Sequence, residues 1–331
     1  MVLGSAAESE GWSALASVVR TSTGHVHREL VGTTDGTEPL RSDHLFDLAS
    51  LTKAFTAVAV HSALDDGLIG LDQPITEILD VAAVRRGVTA RHLLTHTAGL
   101  RPSSLVWRSG TSGDAALADV LSTPPVAEPG AAHVYSCLGY IVLGVVLEQL
   151  HSRPLDEIVL ERVAAPLGAT TLRWGPVPRD NAVATETQPT RGLLRGDIHD
   201  ELAASIGRPV GNAGLFGTAS DVEALAAAIA SRSMPLSSRS FTLLTTPDSA
   251  ATVAGAAGTQ SLGLRVGLST FMTSAATVGH TGFTGTSFVA DAATGGYAVV
   301  LTNRVYGGRD GTSVEKRRIA LSAAIADSPG G

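Results

Sequence analysis

The sequence predicts an α/β fold in which both ends of the chain complete one sheet layer. Strand-like alternation occurs near the start, in residues 14–32, and again near the end, in residues 262–305. Between them, residues 71–204 show mostly helical patterns that proline and glycine interrupt. We therefore expect a sheet domain made of residues 1–70 and 205–331, with a mostly helical domain of residues 71–204 inserted into it.

The first elements are expected to be two strands and a helix. The segments ALASVVRT and HVHRELVGT alternate and are separated by the turn residues Ser22, Thr23 and Gly24. After a loop, apolar residues recur at helical spacing in SLTKAFTAVAVHSALDDG. This helix is expected to begin at or next to Ser50 and to end near Gly67.

The later elements are expected to be helices followed by strands. The helical patterns include ARHLLTHTAGL, LGYIVLGVVLEQLHSRP and TASDVEALAAAIASR, the last capped by Ser220 or Asp221. Strands are expected in LGLRVGL, ATVGHTGFTGTSFVAD and GYAVVLTNRV. A final helix, VEKRRIALSAAIAD, closes the chain.

Composition limits the classes of function. The chain has 331 residues and a formal net charge of −7, with no basic run beyond residues 316–318. A nucleic-acid partner is not expected, because phosphate binding needs a concentrated basic surface. No apolar run approaches the length of a membrane-spanning helix, so no membrane partner is expected either. The single Cys137 and a start that does not resemble a signal peptide lead us to expect a cytoplasmic protein.

The stretch FDLASLTKAF places a lysine three residues after a serine. Of the 24 basic residues only two are lysines, Lys53 and Lys316. On a helix, the spacing of Ser50 and Lys53 puts both side chains on one face, where the amine can reach the hydroxyl. A serine becomes a nucleophile when a neighbouring base removes its proton, and an arginine cannot be that base. The lysine can act if burial or nearby cations lower its pKa.

A structural interpretation of this pair is also open. Ser50 could cap the helix while Lys53 extends out of the first turn into solvent. The same spacing recurs in SVEK, where Ser313 precedes Lys316 among charged residues of a helix that is expected to be solvated. The spacing alone is therefore a weak signal, and context must separate the two pairs.

Two further segments supply that context. An extended HVYSC precedes an apolar helix and holds Tyr135 at the helix entrance, and glycines flank Thr281 in VGHTGFTGTSFVAD. In this order, SLTK, YSC and HTG resemble the three motifs of the serine β-lactamase and penicillin-binding-protein superfamily, in particular its class C and esterase-like branch. Other blocks that resemble this family are LLTHTAGL, APLGATTL, HDELAASIG, GNAGLFGTASDV and LTNRV.

The resemblance implies a fold and a set of roles. The fold would be a β-lactamase/transpeptidase-like antiparallel sheet flanked by helices, plus an all-helical domain, with the active site in the cleft between them. Ser50 would be the nucleophile that forms an acyl-enzyme, Lys53 its base and Tyr135 a second proton-transfer group. The backbone N–H groups of Ser50 and Phe283 would form the oxyanion hole. The substrate side would be lined by the third-motif residues His280, Thr281 and Gly282.

The motifs depart from the family pattern at two positions. The second motif ends in Cys137 where a polar residue such as asparagine is usual, and a thiol is a weak hydrogen-bond donor. Cys137 is therefore expected to line the substrate site or to pack; a role as the nucleophile is less favoured because no histidine is placed beside it as a base. The third motif begins with His280 instead of lysine, and His280 is expected to be charged part of the time near neutral pH.

The expected function is serine acyl transfer. An ester or activated acyl bond would be cleaved through an acyl-enzyme on Ser50, and the acyl group would pass to water, as in an esterase, or to an amine or alcohol, as in a transacylase. The alternatives are a β-lactamase or D-alanyl-D-alanine peptidase and, from another class, an inactive binding protein on the same fold. The expected partners are a small-molecule acyl donor and an acceptor.

No cofactor is expected. His92 and His96 lie four residues apart on an expected helix, but no third metal ligand is evident, and His96 is expected to make a structural hydrogen bond. The segment GNAGLFG lacks the lysine and the serine or threonine of a phosphate-binding loop, so no nucleotide is implied.

Overall fold

A computed structural model describes residues 11–310 and 313–326. The strands are β1 Ala14–Arg20, β2 Val26–Gly32, β3 Phe46–Asp47, β4 Arg173–Trp174, β5 Ala184–Gln188, β6 Gly192–Arg195, β7 Leu215–Gly217, β8 Arg265–Val266, β9 Val278–Thr281, β10 Ser287–Ala290 and β11 Tyr297–Thr302. The α-helices are α1 Thr52–Asp65, α2 Ala90–Leu94, α3 Asp114–Ser122, α4 Cys137–His151, α5 Leu155–Val159, α6 Ala165–Leu167, α7 Glu201–Ile206, α8 Ala219–Ala230, α9 Ser238–Thr245, α10 Ser249–Ala251 and α11 Glu315–Ala324.

The main sheet joins the two ends of the chain. Its six strands lie in the order β2-β1-β11-β10-β9-β8, and every neighbouring pair is antiparallel. Val18 of β1 is opposite Val299 of β11, so the first strand of the chain pairs directly with the last. The expected antiparallel sheet with both ends in one layer is confirmed. The expected domain limits at residues 70 and 204 remain a prediction.

Both faces of the sheet are covered by helices. Side chains of a strand alternate between faces, so neighbouring residues of β1 join different cores. Ala16 and Val18 belong to the large core that includes α8. Leu15 and Val19 belong to a smaller core with Leu321 of α11. This double cover explains why the buried strands are almost continuously apolar.

Helix α1 runs through the centre of the molecule. It contacts α4, α5 and α9, and most of its residues, including Thr56 and His61, are buried. A helix that is buried on all sides has no solvent-exposed face, so it does not need polar residues along one side. The first turn of α1 is therefore positioned rigidly, and with it the residues of the SLTK motif.

Two expectations about elements are corrected. The N-cap of α8 is Thr218, whose Oγ1 accepts from the backbone N–H of Asp221 while the Asp221 carboxylate accepts from the N–H of Thr218. Asp221 is thus the third residue of a capping box and not the cap. Residues 276–291 form a hairpin of β9 and β10 instead of one strand, because the chain turns at Gly285, whose φ of +108° favours glycine.

The middle of the chain is less purely helical than expected. Short strands β4, β5 and β6 occur there, and β4 pairs with β7 of the C-terminal half. In the described parts of the chain, every helix is too short or too polar to cross a bilayer.

Candidate active site

Ser50 lies in a turn that the Asp47 carboxylate stabilises through hydrogen bonds to the backbone. The carboxylate of Asp47 accepts from the backbone N–H groups of Ala49 and His199, both at 2.7 Å. Ala49 has a φ of +46°, a left-handed conformation that is costly for a residue with a Cβ. Asp47 is buried, and that burial raises its pKa. The turn therefore presents Ser50, which is partly exposed, at the start of α1.

Lys53 is fully buried and contacts Ser50 directly. Its Nζ lies 3.1 Å from the Ser50 Oγ and donates to the backbone carbonyl of Asn212 at 2.8 Å. The Cys137 Sγ lies 3.5 Å from the same nitrogen. Lys316, in the other S-x-x-K pair, is exposed. Burial thus separates the two lysines that sequence spacing could not distinguish, and the solvated Lys53 of the structural interpretation is excluded.

The pKa of Lys53 is raised, which corrects the expectation that its surroundings would lower it. Burial is the largest influence and does lower this pKa, but attraction to Cys137 and Tyr135 outweighs it. The pKa of Lys53 is therefore decided by these two neighbours as well as by burial.

Tyr135 is held at the entrance of α4 by its neighbours. The backbone N–H of Ser136 donates to the Nδ1 of His96 at 3.1 Å, and the His96 ring packs 4.4 Å from the Tyr135 ring, centroid to centroid. Burial, followed by the nearby Arg265 and Lys53, holds the pKa of His96 well below its usual range. The Lys53 Nζ and the Arg265 Cζ each lie 5.1 Å from the Tyr135 ring centroid. Two cations therefore contact this ring.

His92 and His96, which lie four residues apart, have separate hydrogen-bond partners. The predicted structural hydrogen bond of His96 is confirmed by its contact with Ser136. His92 lies on α2, and its Nδ1 is 3.0 Å from the hydroxyl of Thr89, the N-cap of that helix. Within residues 11–310 and 313–326, no three histidine, cysteine, aspartate or glutamate side chains form a cluster that could hold a metal ion.

His280 is buried on β9 and is neutral. Its Nδ1 donates to the carbonyl of Thr281 at 2.9 Å, and its Nε2 is buried without a partner in the described parts of the chain. Burial, reinforced by the nearby charges of Lys53 and Arg265, lowers the pKa of His280 to about 3. The expectation that His280 is partly charged near neutral pH is therefore wrong.

The depressed pKa of His280 makes the protein sensitive to acid. The unfolded chain binds a proton on this residue below about pH 6.5, whereas the folded protein does so only near pH 3. Stability contributed by the neutral ring is thus present above pH 6.5 and is lost as the pH falls towards 3. We expect His280→Asn to reduce the slope of unfolding free energy against pH between 6 and 4, by at most about 1.4 kcal/mol per pH unit.

Urea unfolding at several pH values measures this slope. His27→Asn, which removes an exposed histidine from β2, is the matched control for the loss of an imidazole. Parallel stability profiles for the wild-type protein and His280→Asn would contradict the assignment.

The β9–β10 turn is tied to the residues before Ser50. The Thr286 Oγ1 donates to the carbonyl of Leu48 at 3.0 Å, and the Thr284 Oγ1 donates to the carbonyl of Asp47 at 2.7 Å. Gly282 packs between the Thr286 side chain and the Leu48 main chain. A Cβ at this position would lie 2.1 Å from the Thr286 Oγ1 and 2.5 Å from the Leu48 carbonyl oxygen. Arg318 of α11 donates to the carbonyls of Gly282 and Thr286 from the other side.

Phe283 follows in the same turn and is 47% exposed. The guanidinium groups of Arg304 and Arg309 lie 4.9 and 5.7 Å from its ring centroid, and the His199 ring is 5.6 Å away. Arg309 is itself paired with Glu186 and Glu201. In the described parts of the chain, the backbone N–H of Phe283 has no hydrogen-bond acceptor, so it is available to a ligand.

A cavity of about 450 Å³ connects these residues. Its wall contains Ser50, Tyr135, His280, Thr281, Gly282 and Phe283, which the sequence motifs had singled out. Lys53 lies beneath Ser50, and Cys137 contacts Lys53 instead of forming part of this wall. The arrangement can bind a small molecule against a serine hydroxyl that has an amine 3.1 Å away.

Three residues of the site escaped sequence reasoning. Asp47 was overlooked, although its position two residues before Ala49 is typical of an aspartate that accepts from the backbone of a turn. Asn212 contacts Lys53 through its main chain, and a backbone carbonyl has no signal in the residue type. Arg265 is one of 22 arginines and belongs to no motif.

Comparison with known proteins agrees with this architecture. The family model described as Beta-lactamase matches residues 8–323. The acyltransferase calJ of Penicillium decumbens is 32% identical over 161 residues, which are 40% of this chain and 38% of that protein. A putative D-alanyl-D-alanine carboxypeptidase of Escherichia coli K12 is 29% identical over 305 residues, covering 78% of this chain and 69% of that protein.

A solved structure shows the same fold. EstCE1, described as a hydrolase with promiscuous acyltransferase activity, matches with a TM-score of 0.77 and 23% identity, over 97% of this chain and 96% of that chain. The matches to the first curated relatives span only about 40% of their length. The expected β-lactamase/transpeptidase-like fold is confirmed. Since the family model covers nearly all of the sequence, the chain belongs to the beta-lactamase family of serine hydrolases and acyltransferases.

Proposed function

We propose that this protein transfers acyl groups from esters or activated acyl donors through an acyl-enzyme on Ser50. The observation that carries the proposal is the contact between the buried Lys53 Nζ and the Ser50 Oγ, at 3.1 Å, on the wall of a cavity. A lysine is otherwise almost absent from this chain, and burying one without a hydrogen-bonding role would be costly. The names of calJ and EstCE1 support both possible fates of the acyl group.

In the proposed acylation, the Ser50 Oγ forms a bond to the acyl carbon as its proton passes to the Lys53 amine in its neutral form, and Lys53 and Tyr135 together form the proton-transfer cluster. The carbonyl electron pair moves to oxygen, where the N–H groups of Ser50 and Phe283 stabilise the charge. The bond to the leaving alcohol then breaks, and the cluster returns the proton to that alcohol. Asp47 and Gly282 act indirectly, since they position the two N–H donors.

In the proposed second step, an acceptor attacks the acyl-enzyme and frees Ser50. Water yields an acid, so the protein would be an esterase, whereas an alcohol or amine yields a new ester or amide, so it would be a transacylase. The acceptor loses its proton to the Lys53–Tyr135 cluster, which protonates the departing Ser50 oxygen. Water and an alcohol or amine would use the same residues, because deacylation repeats the proton transfers of acylation in reverse order.

Amide cleavage by a β-lactamase or peptidase is the competing proposal, supported by the name of the E. coli relative. Two features favour esters instead. The second motif ends in Cys137, which contacts Lys53 and does not line the cavity, so this position offers the substrate no amide donor. His280 is neutral and thus places no cation on β9.

Intact-mass measurement tests the proposal. After incubation with p-nitrophenyl butyrate, the wild-type protein should gain one butyryl group, and Ser50→Ala should gain none. Ser313→Ala, which removes the serine of the other S-x-x-K pair, is the matched control and should still be acylated. A folded wild-type protein that forms no adduct with the ester or with a fluorophosphonate would instead be the inactive binding protein.

Acceptor competition separates hydrolase from transacylase. Butyrate and butyryl products are quantified with and without an added alcohol or amine. If the acceptor captures the acyl group well beyond its share in solution, the protein is a transacylase. If butyric acid remains the product at high acceptor concentration, it is an esterase. Preferential opening of a β-lactam over the ester would contradict both.

A further inference from the structure

His199 contacts both turns that carry the proposed oxyanion donors. Its backbone N–H donates to the Asp47 carboxylate at 2.7 Å, and the same carboxylate accepts from the N–H of Ala49, which precedes Ser50. Its ring lies 5.6 Å from the Phe283 ring, centroid to centroid, with 32° between the ring planes. His199 therefore connects the main chain before Ser50 with the side chain of Phe283.

The His199 ring is buried, and the Glu186 carboxylate orients it. The Nε2 of His199 lies 2.8 Å from the Glu186 Oε2. Arg309 donates to both oxygens of Glu186 at 2.7 and 2.9 Å, and the Gln188 amide donates to one of them at 3.0 Å. Burial raises the pKa of Glu186, but the bonds from Arg309 and Gln188 outweigh it and lower this pKa to about 2. The carboxylate is therefore ionised at neutral pH, so the Nε2 of His199 carries the proton and donates it to Glu186.

The same carboxylate also holds a second group that packs on Phe283. The Arg309 Cζ lies 5.7 Å from the Phe283 ring centroid, and Arg309 is paired with Glu201 as well as with Glu186. Phe283 is half-exposed, so its ring depends on the positions of these neighbours and of Arg304, whose Cζ is 4.9 Å from the centroid. Glu186 thus fixes two groups that contact this ring.

The main chain at His199 is anchored separately from its ring. Arg191 donates to the carbonyl of Ile198 at 2.8 Å and to that of His199 at 2.6 Å. Side-chain substitutions at Glu186 or His199 leave these bonds available. The ring can therefore be altered while the backbone N–H of His199 still donates to Asp47.

We propose that Glu186 and His199 are positioning residues for the oxyanion hole. Glu186 orients the His199 ring, and the ring holds the β9–β10 turn so that the Phe283 N–H meets the developing oxyanion. This inference rests on the proposed acylation of Ser50. Neither positioning residue is part of the described cavity wall, so their effect is expected on kcat and not on KM, since the oxyanion forms only in the transition state.

The first test is Glu186→Gln, which removes the charge and nearly keeps the shape. The new amide nitrogen would face His199 or Arg309, which are donors themselves, so the His199 ring loses its fixed orientation. We expect kcat for p-nitrophenyl butyrate to fall by about 10- to 100-fold, with KM changed by less than about twofold. Glu161→Gln, which removes an exposed carboxylate paired with Arg153, is the matched control and should keep the wild-type kcat.

The carbonyl stretch of the butyryl-enzyme is a readout that a merely structural role would not change. Two N–H donors polarise the acyl carbonyl and lower its stretching frequency. Infrared difference spectra of the acyl-enzyme, with and without a ¹³C label at the carbonyl, should therefore place this band at higher wavenumber in Glu186→Gln than in the wild-type protein. In Glu161→Gln the band should not move.

His199→Gln makes the same test with the buried carboxylate still paired. The new amide can donate to Glu186 but has no ring to pack on Phe283, so kcat should fall about as far as in Glu186→Gln. The double variant should lose little more than either single variant, because both substitutions act on one ring. Losses that multiply would show two independent roles and would contradict the proposal.

Thermal unfolding of each variant separates positioning from stability. Wild-type kcat and an unshifted carbonyl band in either folded variant, in a protein that acylates Ser50, would overturn this inference alone, even if the variant has a lower Tm. A wild-type protein that no ester acylates would overturn the proposed function and this inference together.

Discussion

Arginine at position 53 is expected to lower kcat/KM for ester substrates by about 10³-fold, although the positive charge is retained. The reason is that Lys53 contacts the Ser50 Oγ as a group that can exchange a proton, and a guanidinium does not lose its proton in proteins. Because the pKa of Lys53 is raised, a role as a fixed cation is the alternative that this substitution must exclude. If the residue acted only as a fixed cation beside Tyr135, arginine would replace it.

Steady-state kinetics with p-nitrophenyl butyrate measure the loss. Lys53→Met, which removes the charge and nearly keeps the shape, should be as inactive as Lys53→Arg but should remain folded, because replacing a buried cation with an apolar side chain is often tolerated. Lys316→Arg, at the exposed lysine, is the matched control and should stay within about twofold of the wild-type rate. Substantial activity in Lys53→Arg together with inactivity in Lys53→Met would assign Lys53 an electrostatic role.

The second large effect is expected for Gly282→Ala. A Cβ at this position would meet the Leu48 carbonyl oxygen at 2.5 Å and the Thr286 Oγ1 at 2.1 Å, and the first of these is main chain. The β9–β10 turn must therefore move away from the Ser50 turn and carry the Phe283 N–H with it. Displacing one oxyanion donor costs about 10²- to 10³-fold in kcat. The strain should also lower stability by about 1–3 kcal/mol.

Kinetics and thermal unfolding of the same variant check both parts of this expectation. Gly139→Ala is the matched control: the new Cβ would meet the Leu93 side chain at 3.6 Å, an ordinary contact, in the helix α4. Alanine is favoured over glycine in a helix, so this variant should be active and at least as stable as the wild-type protein. Wild-type turnover by Gly282→Ala would show that the turn does not position the oxyanion.

Much of the fold could be predicted from local patterns. Strands are expected within residues 14–32, and β1 and β2 lie there. The cap of α8 was missed because Thr218, Ser220 and Asp221 are all good caps by residue type, and only the reciprocal bonds of Thr218 and Asp221 decide among them. The hairpin at Gly285 was missed because a Thr- and Gly-rich segment is compatible with a strand and with a turn.

The candidate site was predictable where the contacts are local or where a motif marks them. Ser50 and Lys53 share one helix face, so their spacing alone brings them together. The placement of Tyr135 and Phe283 came from the resemblance of ordered motifs, since these residues are far from Ser50 in the chain. Arg265 could not be found in either way, because strand pairing of β8 with β9 brings it to the cavity.

The sequence by itself indicated the type of chemistry that we propose: a lysine in a chain that otherwise uses arginine, placed one helical turn from a serine and followed by motifs in a known order. Only the tertiary structure decided how those groups are charged. Lys53 and His280 are both buried, yet the pKa of Lys53 is raised and that of His280 falls to about 3. Burial disfavours the charged form of each, and the opposite outcomes arise because Cys137 and Tyr135 raise the pKa of Lys53, whereas the charges of Lys53 and Arg265 lower that of His280. Such neighbours come from distant parts of the chain, so no local pattern contains them.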